Sequence, residues 1–467
     1  GSGPAGCVAV QQLVNAGCEV HLFERGAGRD EFTDQRKSAN FFRASGEVGL
    51  LDAMCVVRPT AVANWTPYPQ GNALGGTSAI NAMVQMWGSP EDFQHWERDL
   101  GCSGWGWKEV RREYNALGMP RYFPEGTEQG AFSARIVEAS IAMGATACRH
   151  ESATGDGAGL VALSMRAGER LDAFDVFVAP LLVDPTAREQ LHVRSHRAVH
   201  AVLIENGVAC GLLFDDDTQE HFDAVLLCAG AIWSPLLLRR SGLQREGIGQ
   251  NLKDHASLAI TVQMSDPRGE DEILVTSLVV ASSAMGDSDL HLLPSNAVTG
   301  ANGSMSFAQL TAAIAVVSSK GMVEEVNDRA EVTLNSLATH DDSERMVSVL
   351  RLAHDVLRQE QCRQGVVECY VDNVGTTLEH LMAHDAEAIA QFVRRQVGPY
   401  SHVSGTCAMG QSANPNSVVG LTGAVHGVTG LWVGDASVFP DIPRAATQMP
   451  TTMVARRIAR GLAESIA

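Results

Sequence analysis

The chain has 467 residues, 45% of them hydrophobic and 19% charged, and a formal net charge of −19. That length exceeds one compact core and implies two domains, and the composition is that of a folded protein, not a disordered chain. The acidic balance and the lack of a Lys/Arg cluster exclude a nucleic-acid binder, and no apolar run reaches the ~18 residues of a membrane span. Ten cysteines are scattered with no C-x-x-C pair and no zinc-type spacing. They read as buried reduced thiols, and no metal site is expected.

The chain opens "GSGPAG", with no methionine and no strand ahead of a turn that needs one. Residues are therefore expected to be missing before Gly1, with any signal peptide among them, and a cytoplasmic location is the working expectation. Gly1, Gly3 and Gly6 form G-x-G-x-x-G. "PAGCVAVQQLVNAG" predicts an apolar helix ending near Gly17, and "CEVHLFERG" a short strand ending in Glu24, 18 residues after Gly6. Glycines let a backbone approach a pyrophosphate, the helix N-terminus faces its charge, and an acid at the next strand end accepts from ribose hydroxyls. With turn, helix, strand and acid in that order, the segment predicts dinucleotide binding.

Further along, Trp105 and Trp107 predict core packing at a helix start. Residues 190–228 read as strands, the last breaking at Ala229-Gly230, with a helix from Pro235. Residues 343–360 and 379–397 carry helical periodicity, whereas the Ser-, Ala- and Gly-rich interval 264–310 gives no clear element. "YSHVSGTCAMG", from Tyr400 to Gly410, places His402 before a Ser-Gly-Thr-Cys turn. Alone it allows a structural histidine, a metal ligand or a base. "GLWVGDASVFPDIP" is a strand, a Gly-Asp turn and a Pro-punctuated loop. "TQMPTTMVARRIARGLAESI" is a terminal helix capped near Thr447 or Gln448, with Arg456, Arg457 and Arg460 on its solvated side or toward its C-terminal half.

These pieces in order ("GSGPAG…HLFERG", "GNALGGTSAINAMV", "CAGAIWSPLLLRRSGL", "GIGQNLKDH", "SHVSGTCAMG" and "VHGVTGLWVGDASVFPDIP") resemble the glucose-methanol-choline (GMC) flavoprotein oxidoreductases, including choline dehydrogenase-like members. The resemblance spans nearly the whole chain apart from 264–310. It implies an α/β fold in which a Rossmann-like FAD-binding domain (1–100, 186–258 and 396–467) interleaves with an α+β substrate domain on an antiparallel sheet (101–185 and 259–395). It places Gly75, Gly76, Ser78, Asn81 and Met83 by the flavin, Val199 by the adenine, and Ala229, Asp435, Ala436 and Met449 against the rest of the cofactor. Some relatives carry a flavin-linked histidine in the "GNALGGTSAIN" loop; Ile80 stands there, so non-covalent FAD is expected.

The resemblance also implies oxidation of a primary or secondary alcohol, hydride passing to flavin N5 and the proton to His402, with the positive end of the terminal helix stabilising the reduced flavin. Gln448 takes the second active-site position, where His or Asn is usual, and orients the alcohol oxygen without acting as a base. Asp254 and His255 are expected to hold a buried turn together. Trp87 and Gln244 depart from the usual residues and suggest an unusual substrate, and Tyr400 is expected to restrict oxygen and favour a dehydrogenase. The expected partner is a small alcohol, with oxygen or a carrier as electron acceptor. Two alternatives stay open: a hydroxynitrile-lyase-like protein with no net redox, and a flavin-binding protein without catalysis.

Overall fold

The computed structural model describes residues 1–46, 51–152, 154–265, 273–299 and 306–466. Two large cores organise them. In the first, the helix Pro4–Asn15 follows the glycine turn and packs along the terminal helix Gln448–Ile466. Short parallel strands sit beside them: Val20–Phe23 pairs in register with Leu191–Arg194, and Val225–Leu227 with Leu431–Val433. Four segments far apart in sequence thus bring strand ends and helix starts together, the usual place for a ligand in an α/β sheet.

The second core lies behind a nine-stranded, largely antiparallel sheet. Its centre is Ala256–Met264, Ser306–Ile314 and Gly286–Thr299, each antiparallel to the next. In "ASLAITVQM" the side chains alternate. Leu258, Ile260 and Val262 join the apolar core with the helix His340–Leu357, and Ser257 and Ala259 face the other way. Val84–Gln85 and Gly398–Pro399, which belong to the first domain by sequence, pair into this sheet at Gly157–Leu163 and Ala256–Met264.

Three expectations change. The interval 264–310 contains the strands Ser277–Ser283, Gly286–Thr299 and the start of Ser306–Ile314; residues 266–272 and 300–305 lie outside the described residues. Small residues and Pro294 inside a strand mask the period-two signal there. The helix after Ala229 begins at Gly230, not Pro235. Pro235 lacks the N–H that the Ala231 carbonyl would receive, and Thr406 Oγ1 donates to that carbonyl instead, at 2.6 Å. Finally, Arg456 pairs with the buried Glu113, and Arg457 lies over the Trp105 ring at 4.2 Å, so neither is on a freely solvated face.

Candidate active site

A cavity of about 1100 Å³ runs from the glycine turn to the inner face of the large sheet. At one end the turn and the "GNALGGTSAIN" loop meet backbone to backbone. Gly76 has φ +54°, and a Cβ on it would lie 2.6 Å from Gly3 Cα. A Cβ on Gly6 would lie 1.9 Å from the Gly1 carbonyl oxygen, whereas one on Gly3 would meet only open space. Gly1, Gly3, Gly76 and Ser78 line the cavity, joined further along by Val199, Ala229 and Ala436.

Two of the carboxylates that border the cavity, Glu24 and Asp435, are engaged by the protein. Glu24 accepts from Ser2 N at 2.9 Å, Ser2 Oγ at 2.7 Å and Gly26 N at 2.9 Å. Asp435 accepts from Gly230 N at 2.9 Å, Ser234 Oγ at 2.5 Å and Ser437 N at 2.8 Å. Both tie loops together and still border the cavity. Gly6, Gly75 and Met449 do not line it: Gly6 seats the helix start, Gly75 (φ +103°) makes the turn beside Asp172, and Met449 is buried in the first core.

At the other end stands His402. Its backbone N–H donates to Asp254 Oδ1 at 2.8 Å, and its Nδ1 is 2.9 Å from His255 Nδ1. Asp254 also accepts from Ser401 N at 3.2 Å, and burial pushes its carboxyl up to about 7. The tautomers follow from the partners. The polar neighbours of the far side of His255 are the carbonyls of Pro443 and Ala315, too poorly aligned for ordinary hydrogen bonds to Nε2 but able only to accept. The proton of neutral His255 therefore sits on Nε2, its Nδ1 accepts, and His402 Nδ1 donates. His402 Nε2 is left as a lone pair. Burial, with His291 nearby, pushes His402 down to about 3, so the ring stays neutral at ordinary pH.

Gln448 opposes it from the first residue of the terminal helix. Asn81 Oδ1 accepts from Met83 N at 2.9 Å and Arg170 Nη1 at 3.1 Å. Two donors fix the Asn81 carbonyl, so its amide nitrogen must face Gln448 and donates to Gln448 Oε1. Gln448 Nε2 is then a buried donor without a partner, bordering the cavity. Met83, in the left-handed region at φ +62°, lines the same space, as does Ile80.

Sequence reasoning underweighted His255, which contacts His402 directly, and missed Arg170 and His291, whose effects cross segments remote in sequence. Trp87 lies off the cavity, stacked on Tyr114 at 5.0 Å, so its departure from the usual residue has no direct contact with the site. Tyr400 lines the cavity with its ring 4.6 Å from that of His402. Elsewhere, Glu19, His21 and His192 bring potential ligand atoms within 4.8 Å of one another. Arg194 donates to His21 Nδ1 at 3.2 Å, which puts the neutral ring's proton on Nε2, the atom facing Glu19, and disfavours a cation there. No helix among the described residues is long and apolar enough to cross a membrane.

Known proteins similar to this chain include members of one flavoenzyme family. The GMC oxidoreductase family models match residues 35–257 and 313–455. The chain is 26% identical to 5-(hydroxymethyl)furfural oxidase of Methylovorus sp., over 84% of this chain and 82% of that protein. It is 25% identical to human mitochondrial choline dehydrogenase, over 98% and 88%. Among solved structures, pyridoxine 4-oxidase from Mesorbium loti superposes with a TM-score of 0.86 at 22% identity, covering 99% of this chain and 97% of that one. Formate oxidase of Aspergillus oryzae RIB40 superposes at 0.84 and 17% identity, over 100% and 97%. With both family models matched across most of its length, the chain belongs to the GMC oxidoreductases, FAD-dependent enzymes.

Proposed function

We propose that the chain oxidises a primary or secondary alcohol to a carbonyl, with His402 as base and Gln448 as the group that holds the alcohol oxygen. The observation that carries this reading is the pairing of one open acceptor, His402 Nε2, with one buried donor, Gln448 Nε2, on a single cavity. Alcohol oxidation needs both: a lone pair to take the hydroxyl proton and a donor to hold the oxygen as charge develops on it.

FAD fits the residues present. Gly3 leaves open space that a Cβ would fill, Gly76 makes the close approach of the two loops possible, and the cavity exceeds the size of a single small-ligand pocket. Gly1, Gly3, Gly76, Ser78, Val199, Ala229 and Ala436 would hold it, with Glu24 and Asp435, which border the cavity and keep acceptor capacity beside their three bonds each, available to cofactor hydroxyls. When bound, FAD supplies the hydride acceptor, and Ile80 offers no side-chain bond to it. The remaining work is the protein's. His255 fixes the tautomer of His402, Arg170 through Asn81 fixes the amide of Gln448, and Asp254 pins the backbone that carries His402.

The test is anaerobic mixing of the FAD-loaded protein with aliphatic, aromatic and sugar alcohols, then readmission of air. Bleaching of the yellow band by an alcohol is the expected result. Aldehyde release from a cyanohydrin without bleaching would establish a lyase, and no response to any alcohol would leave a binding protein. Slow recovery of colour in air is expected if the Tyr400 ring restricts oxygen.

A further inference from the structure

We propose that the cavity selects an uncharged alcohol bearing a second hydrogen-bonding group, and that the sheet wall of His291, Ser295, Gln309 and Thr311 receives that group. The proposal rests on the alcohol-oxidation reading and adds the substrate class. Its basis is the strand register. Ser295 faces Gln309 across the strands, Leu293 faces Thr311, and His291 faces Ala313, so these side chains share one face. The opposite face of the same strands is apolar and packed: Leu292, Leu310 and Ala312 lie in the second core. The cavity side therefore carries an imidazole, two hydroxyls and an amide where packing alone would favour aliphatic residues.

Three of these groups are buried, with His291 3% exposed, Ser295 5% and Thr311 7%, Gln309 is half-buried, and their hydrogen-bonding capacity is not used up. His291 Nε2 has no partner. Gln309 Nε2 donates to Thr311 Oγ1 at 2.9 Å, which leaves the Gln309 carbonyl to accept and the Thr311 hydroxyl to donate. Buried polar atoms without partners are costly and rare, and a ligand's polar group completes them.

Charge narrows the class. Among the described residues that line the cavity, the carboxylates and guanidinium groups (Glu24, Asp215 and Arg25 among them) lie toward the glycine-turn end, and the sheet wall carries none. His291 is itself neutral, pushed down to about 3 by burial. An ammonium group placed there would find neither a carboxylate nor an aromatic cage. His291 is opposite Ala313, which is opposite Ser257, two residues after the His255 that meets His402, so the wall starts at the reacting end. At the strand rise, the Leu293–Thr311 pair is about 7 Å further along and the Ser295–Gln309 pair about 13 Å. The second polar group thus sits across a ring or a short chain from the carbinol.

The test uses three para-substituted benzyl alcohols that differ only at the far end: para-(hydroxymethyl)benzamide, para-methylbenzyl alcohol, and the trimethylammonium-methyl analogue. Each is titrated against FAD-loaded protein, reading both anaerobic flavin reduction and the rise in Tm. The benzamide should bind about 10-fold more tightly than the methyl compound, and the cation most weakly. Thr311→Val and Gln309→Leu should each cost the benzamide about 2- to 10-fold, the range for one neutral hydrogen bond, without weakening the methyl compound, for which the wall becomes more apolar. Preference for the cation, or equal losses for all three alcohols in the variants, would overturn the proposal. A Tm rise with the expected ranking but no bleaching would overturn alcohol oxidation and leave the recognition standing. Bleaching with no ranking would do the reverse.

Discussion

At the glycine-turn end of the cavity, Glu24 and Asp435 each accept three hydrogen bonds from the protein. At the sheet end, Nε2 of His291 and of Gln448, both on residues that line the cavity, lack partners. The first end brings backbone close to glycines beside side chains that are already engaged, as suits a cofactor gripped by main-chain groups. The second is incomplete, as suits a substrate that brings its own donors and acceptors. The difference predicts that substitutions at the two ends fail differently.

The largest effects should come at the first end, and there they should separate cofactor from fold. Gly6→Ala drives a Cβ to 1.9 Å from the Gly1 oxygen, backbone against backbone, so folded protein should be lost. Gly3→Ala meets only open space, so the chain should fold, with circular dichroism retained, but purify with little bound FAD. A yellow, fully loaded Gly3→Ala protein would break the assignment of that space to the cofactor.

The same contrast explains what could be read from the sequence. The cofactor end is local: G-x-G-x-x-G, the strand to Glu24 and "GNALGGTSAIN" each announce a backbone conformation within a few residues, and Gly1, Gly3, Gly76 and Ser78 border the cavity as expected. His402 was legible by its turn. The substrate end takes one or two residues from each of several strands, and the signal is alternation diluted by Ala, Ser and Pro294. Arg170 reaches the site through Asn81 and the Ser78 carbonyl, and His255 through His402 and the Tyr400 ring, contacts between remote segments that no local motif announces. Gly75 and Met449 lie inside a motif but off the cavity, at a turn and in the core.

At the sheet end, His402→Ala should keep FAD and slow flavin reduction by ~10²–10⁴, the usual worth of a general base; an unchanged rate would remove His402 from the chemistry. His255 should come next. His255→Leu removes the acceptor that fixes the His402 tautomer and should cost about 10²-fold or more, since a base in the wrong tautomer fails. His255→Asn puts a carbonyl near the position of Nδ1 and should recover most of that loss, whereas His255→Gln should not. Equal damage in all three would make His255 a packing residue only. Gln448→Ala should cost about 10-fold, one hydrogen bond to the alcohol oxygen. Arg170→Met should cost at least as much, because Arg170 also donates to the Ser38 and Ser78 carbonyls, and the part of its effect carried through Asn81 should not add to the Gln448 loss. A larger loss at Gln448 than at His402 would reverse their roles.

The smallest effect concerns stability and separates the two ends by pH. Burial pushes His402 and His291 down to about 3, His150 to about 4 and His255 well below its ordinary value. Unfolded imidazoles titrate near ~6.5, so below that pH the unfolded chain binds more protons than the folded one. The histidines' contribution is complete above ~6.5 and is lost as pH falls, at up to about 1.4 kcal/mol per pH unit for each. Asp254 runs the other way: with its carboxyl pushed up to about 7 by burial, its contribution is present at low pH and lost as pH rises toward 7. Asp92 and Asp172 are pushed up by burial as well, and carboxylates at hydrogen-bond distance hold the half-exposed His95 up at about 9, so these groups oppose the four imidazoles together with Asp254. The quantity to compare is the slope of Tm between about pH 7.5 and about pH 5.5, a window in which exposed carboxylates stay ionised. His291→Asn removes one titrating ring and should make Tm fall less, or rise more, as pH is lowered through that window. An unchanged slope would mean that His291 is not held neutral in the folded protein, and with it would go the uncharged wall that the substrate class depends on.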